Sequence, residues 1–128
     1  MPQVLLIEPD RLIAGNVSKA LKKAGLEVNW QVDPQAALDS ADTQLPELIV
    51  LDLLLANRGG IEFLYEFRSY PDWQKIPVVV FSSLSAEELK EAVGSFDHLN
   101  LNAYHYKPNT SLPELVKIVE RFLQPVSG

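Results

Sequence analysis

Pro46-Glu47-Leu48-Ile49-Val50-Leu51-Asp52 is apolar at every position from 48 to 51 and closes on an acid. A strand with one wet face alternates polar and apolar residues. A run without alternation fits a strand covered on both faces, as in the middle of a parallel sheet. Pro77-Val78-Val79-Val80-Phe81-Ser82-Ser83 has the same form, and so does Val4-Leu5-Leu6-Ile7 ahead of Glu8-Pro9-Asp10. Leu26-Glu27-Val28-Asn29-Trp30 alternates as a half-buried strand would, and Ala103 to Tyr106 makes a fifth strand.

Helical patterns fill the intervals. Leu12, Ile13, Val17, Ala20, Leu21 and Ala24 recur at helical spacing and stop at Gly25, a residue that takes positive φ without steric cost. Asp33-Pro34 reads as an N-cap followed by proline at the first helical position, opening a helix over Ala36, Ala37 and Leu38. After the turn at Asn57-Arg58-Gly59-Gly60, a third helix is expected to carry Ile61, Leu64 and Tyr65, and Arg68 with them. Ser85-Ala86-Glu87-Glu88 and Ser111-Leu112-Pro113-Glu114 are capping boxes. The second leads into the stripe Leu115, Val116, Val119, Phe122 and Leu123. Strand–helix units repeated about five times imply an α/β fold, a doubly wound parallel sheet with helices on both faces.

The totals agree. With 128 residues, 47% apolar and 22% charged, the chain suits one domain with a real core and not a disordered segment. A single domain over residues 1–124 is expected, with 125–128 a frayed tail. A net charge of −6 without a basic stripe argues against direct nucleic-acid binding. The absence of cysteine excludes disulfides and thiolate metal sites. No signal peptide and no bilayer-spanning stretch is visible, so a cytoplasmic location is expected.

Ligands of doubly wound sheets bind outside the carboxyl ends of the strands. Here those ends carry Glu8, Asp52, Ser82 and Lys107: two carboxylates, a hydroxyl and an ammonium. An acid after a strand is, taken alone, usually just a loop residue, and a serine there is as often a helix cap. Four such ends with opposite charges are harder to dismiss. The set suits phosphoryl transfer to a carboxylate, with Asp52 as nucleophile, Mg²⁺ between carboxylates, and Lys107 and Ser82 on phosphoryl oxygens.

These residues resemble the receiver domain of two-component response regulators over essentially the whole chain. Pro46 to Leu53 is similar to the strand into that family's phosphorylated aspartate, Pro77 to Ser83 to the strand ending in its switch hydroxyl, and Tyr104-His105-Tyr106-Lys107-Pro108 to its Lys-Pro motif. The resemblance implies a flavodoxin-like (βα)5 fold with strand order 2-1-3-4-5, of the stand-alone single-domain type. It makes Asp52 the phosphoryl acceptor, Lys107 its salt-bridging partner, Ser82 the switch hydroxyl and Tyr104 the aromatic that moves with it. Glu8, Asp52 and the Leu54 carbonyl would hold Mg²⁺, and the Lys107-Pro108 peptide would be cis. It implies no enzyme but a phosphorelay signalling module. Its partners would be a sensor histidine kinase or phosphotransfer protein, and a downstream protein bound on the face of the fourth helix, fifth strand and fifth helix, in a monomer or weak homodimer.

One departure stands out. The family places two consecutive acids after the first strand; here the second is Pro9, which offers no ligand. Three outcomes are open: Asp10 swings in, although Pro9 fixes the turn and is expected to start the helix there; the longer Glu8 reaches the metal directly; or the metal binds weakly or not at all. In the last case Lys107 would balance Glu8 and Asp52 unaided, as suits a pseudo-receiver that binds partners without phosphorylation. Ala56 and Gly59 also differ from the family's proline and acid after the aspartate. An aspartate-nucleophile phosphatase would want an acid where Leu54 stands, and a flavin site would not place Glu8-Pro9-Asp10-Arg11 against a phosphate. Trp30, Trp73, Phe96 and His105 read as packing residues, and His98 as an exposed loop residue.

Overall fold

The structure is a computed structural model and describes residues 2–53, 59–94 and 103–124. Five strands, β1 (Gln3–Ile7), β2 (Glu27–Gln31), β3 (Leu48–Leu51), β4 (Val78–Ser82) and β5 (Ala103–Tyr106), form one sheet in the order β2-β1-β3-β4-β5. Every pairing is parallel. Between the strands run α1 (Arg11–Lys23), α2 (Pro34–Thr43), α3 (Gly59–Ser69) and α4 (Ala86–Val93), with α5 (Leu112–Leu123) closing the chain. Short 3-10 turns at Pro71–Trp73 and Lys107–Asn109, not foreseen in the sequence, precede β4 and follow β5. Among the described residues no helix is long and apolar enough to cross a membrane.

The apolar runs are buried because helices cover both sides. Leu5, Ile7, Ile49, Leu51, Val78 and Val80 pack against α2, α3 and Leu89 of α4. Val4, Leu6, Leu48, Val50, Val79 and Phe81 pack against α1 and α5 through Ala14, Val17, Leu21, Leu115 and Val119. The helix ends follow the local signals. Asp33 caps α2 with Pro34 at its first position, Ser85 and Ser111 make reciprocal capping boxes with Glu88 and Glu114, and Gly25 follows α1 at φ +90°.

Two expectations are corrected, and the buried face of α3 is added to what the sequence offered. Tyr65 lies on α3 but is 52% exposed, while the helix buries Ile61, Phe63, Leu64 and Phe67. Phe67 stacks between Phe63 and Trp73, whose bulk sets the helix rotation. The start of α1 is fixed by Asp10, whose Oδ1 accepts from the N–H groups of Leu12 and Ile13, so Pro9 precedes the cap and does not begin the helix. The Lys107-Pro108 peptide is trans, since the described residues include no cis bond. In this form Lys107 and Pro108 enter a 3-10 turn in which the Thr110 N–H donates to the Lys107 carbonyl.

Arg68 ties α3 to the approach to β4. Its Nη1 donates to the carbonyls of Trp73, Gln74 and Ile76 at 3.0, 2.9 and 2.9 Å. Arg68→Met keeps the aliphatic stem but strands these acceptors, and should lower the unfolding free energy by about 2 kcal/mol. Urea denaturation would measure it, and an unchanged midpoint would show that water replaces the guanidinium.

Candidate functional site

The register brings four strand ends to one rim. Ile7 pairs with Leu51, so Glu8 and Asp52 stand side by side just past β1 and β3. Ser82 ends β4 opposite Tyr106 of β5, with Lys107 next along the chain. Asp52, Glu8 and Ser82 are at most 2% exposed. The Lys107 ammonium spans both acids, 2.7 Å from Glu8 Oε1 and 2.5 Å from Asp52 Oδ2, with its Nζ 5.7 Å from the centre of the Phe81 ring. Ser82 Oγ donates to Asp52 Oδ1 at 2.7 Å and accepts from the Leu84 N–H at 3.1 Å. The Tyr104 hydroxyl donates to the Leu84 carbonyl at 2.5 Å, so one residue links the serine to the tyrosine.

Among the described residues, the two carboxylates and one ammonium sum to one formal negative charge. Burial pushes the Glu8 carboxyl above its ordinary value of 4.5, against hydrogen bonds from Lys107 and the Asp10 N–H that pull it down. Burial, helped by the charges of Asp52 and Glu88, pushes the Tyr104 phenol up to about 12, so it stays a neutral donor. Burial lowers the His105 imidazole, with Glu114 opposing. Because the folded state holds the Glu8 proton more tightly, Glu8 contributes stability that is complete below 4.5 and is lost as pH rises through its higher folded value. Acidification from neutral pH should therefore erode the wild type less steeply than Glu8→Gln. Parallel stability–pH curves would contradict this.

A family profile described as response regulator receiver domain matches residues 4–120. The chain belongs to that family. The receiver domain is 36% identical over 103 residues to the KDP operon transcriptional regulatory protein KdpE of Escherichia coli, covering 78% of this chain and 44% of KdpE. It thus spans less than half of that relative's length. Response regulator Rcp1 of Synechocystis sp. is 29% identical over 126 residues, covering 91% of this chain and 83% of Rcp1. The solved Mn²⁺-bound form of Rcp1 superposes with a TM-score of 0.74 at 31% identity, covering 94% of this chain and 91% of that one. The chemotaxis protein CheY4 of Vibrio cholerae superposes with a TM-score of 0.84 at 24% identity, over 96% and 99% of the two chains, a likeness that speaks to the fold alone.

The residues singled out at the rim of this receiver domain, Glu8, Asp52, Ser82, Tyr104 and Lys107, lie in one connected cluster. Asp10 does not join it through its carboxylate, which caps α1; its backbone N–H does, donating to Glu8 Oε2 at 3.0 Å. Leu54, Ala56, Asn57, Arg58, Phe96, His98 and the tail 125–128 lie outside the described residues. Trp30 has a role that the sequence reading missed: its indole N–H donates to the Glu8 carbonyl at 2.9 Å. The sequence signals only that a tryptophan leaving water generally finds a partner for its one donor, not which partner.

Proposed function

We propose that this receiver domain accepts a phosphoryl group on Asp52 and that the phosphorylated form changes which protein it binds. The observation that carries this reading is the Asp52 carboxylate, buried at a strand end with one oxygen on Ser82 and the other on Lys107. The donor is a phosphohistidine of a sensor kinase or phosphotransfer protein. An Asp52 oxygen attacks phosphorus, the new O–P bond forms as the P–N bond breaks, and the electron pair stays with the imidazole. The Lys107 ammonium and the Ser82 hydroxyl then have phosphoryl oxygens to bind in place of the bare carboxylate. Movement of Ser82 pulls on Leu84 and through it on Tyr104, which carries the change to the face of α4, β5 and α5 where a downstream protein binds. Such a module works in the cytoplasm, as a monomer or weak homodimer, without touching nucleic acid, and slow hydrolysis of the acyl phosphate ends the signal without making it an enzyme.

The donor set suits a modest Mg²⁺ site. Magnesium usually keeps several waters and takes one or two carboxylates plus substrate phosphate oxygens, and Glu8 and Asp52 supply two. Pro9 adds none, Asp10 is committed to α1, and no group of three or more His, Cys, Asp or Glu side chains able to hold a metal occurs among the described residues. When bound, the ion would neutralise charge on the transferring group. The Mn²⁺-bound Rcp1 structure is of a relative that carries a divalent ion. A pseudo-receiver reading draws on the same pocket, since Pro9 adds no further acid and the double ion pair of Lys107 offsets one of the two carboxylate charges.

Beryllofluoride, which mimics a phosphoryl group on a carboxylate, provides a test. With Mg²⁺ it should shift the NMR resonances of Ser82, Leu84 and Tyr104 in the wild type and leave Asp52→Asn unchanged. Identical spectra for the two proteins would favour the pseudo-receiver.

A further inference from the structure

We propose that Trp30 is a positioning residue for the acidic pocket, holding Glu8 in place through its main-chain carbonyl. All four hydrogen-bonding groups of Glu8 are engaged. Its N–H donates to the Gln31 carbonyl at 3.2 Å, and its carbonyl accepts from Trp30 Nε1 at 2.9 Å. Its Oε1 meets Lys107 at 2.7 Å, and its Oε2 accepts from the Asp10 N–H at 3.0 Å. Two of the four come from the end of β2, which makes that strand end the mount on which Glu8 sits.

The reason for this arrangement lies in the chain's path. Ile7 and Gln31 are the last paired residues of β1 and β2, and beyond β2 the backbone turns away to the N-cap of α2 at Asp33. Pro9 has no N–H and cannot brace the turn from within. The indole supplies a donor from across the strand pair, and Trp30 is itself partly buried against the α1–α5 side of the core, in the cluster that Val28 also joins. A site residue held through packed neighbours keeps its geometry; one left loose by an ångström loses rate. Trp30 touches no reacting atom and acts through Glu8 on Lys107 and the cation site.

This inference rests on the phosphoacceptor reading, and its test separates the two. Trp30→Phe keeps the aromatic packing and removes the donor. Benzothienylalanine at position 30, which replaces the N–H with sulfur in the same outline, removes only the donor should Trp30→Phe fold poorly. Val28→Ala trims the same cluster without touching Glu8. With acetyl phosphate and Mg²⁺, the rate of adduct formation per folded molecule should fall about five- to tenfold in the position-30 variants, the effect of one lost hydrogen bond, and stay near wild type in Val28→Ala. Rates within about twofold of wild type, or equal losses in Val28→Ala, would overturn the proposal. If the wild type forms no adduct, the phosphoacceptor reading fails, and the Lys107 ammonium resonance decides the positioning role. A shift in the position-30 variants alone supports it, and an unmoved resonance overturns it.

Discussion

Lys107→Met is expected to lower the unfolding free energy by about 3–5 kcal/mol at neutral pH, the range for removing one partner of a buried ion pair. The size follows from what is left behind. Glu8 and Asp52 are at most 2% exposed, and the ammonium 2.7 and 2.5 Å away is the cation between them. Without it, two buried like charges face each other, and Ser82 and the Asp10 N–H, which stay beside them, are neutral donors. The deficit should shrink on acidification, since a proton on either carboxyl removes the repulsion. Chemical denaturation of both proteins at neutral pH and at about pH 5 would check this. A deficit below about 1 kcal/mol, or one that grows in acid, would mean that the pocket does not depend on Lys107 for its charge balance.

Gly60→Ala is expected to cost about 3 kcal/mol, from overpacking that backbone must absorb. A Cβ at Gly60 would lie 2.6 Å from Leu53 Cα, 2.8 Å from the Leu53 carbonyl oxygen and 2.9 Å from that of Asp52. None of these can rotate away as a side chain can. The first turn of α3 is therefore packed directly on the strand end that carries Asp52, and under the proposed function the substitution should impair phosphorylation along with stability. Gly15 is the control: it lies on the exposed side of α1 with nothing within 4 Å of a new Cβ. Gly15→Ala should stabilise by about 0.5–1 kcal/mol through helix propensity alone. Thermal melts of the two variants should move in opposite directions, and a neutral Gly60→Ala would contradict the packing described.

Legibility tracked how local each signal was. The unbroken apolar runs at Val4–Ile7, Leu48–Leu51 and Val78–Phe81 announced buried parallel strands, because only a sheet covered on both faces hides every side chain of a strand. Caps at Asp33, Ser85 and Ser111 were readable since each uses a side chain and an N–H within a few residues. What escaped depends on tertiary packing. The choice between Tyr65 and Phe63 or Phe67 as the buried face of α3 is a matter of helix rotation, fixed by stacking on Trp73. The trans Lys107-Pro108 peptide lies within the turn after β5, while the cis expectation came from resemblance to other chains. At the site, strand ends located Glu8, Asp52, Ser82 and Lys107, but the bond from Trp30 to Glu8 joins residues 22 positions apart, with no local pattern to mark it.

Intact-mass spectrometry after incubation with a small phosphodonor tests the central claim most directly. Wild type and Asp52→Asn are compared with and without Mg²⁺. A single phosphoryl group is expected on the wild type, dependent on Asp52 and on a Mg²⁺ concentration raised by the missing ligand at Pro9. No adduct under any condition, or one that persists in Asp52→Asn, would contradict Asp52 as the acceptor.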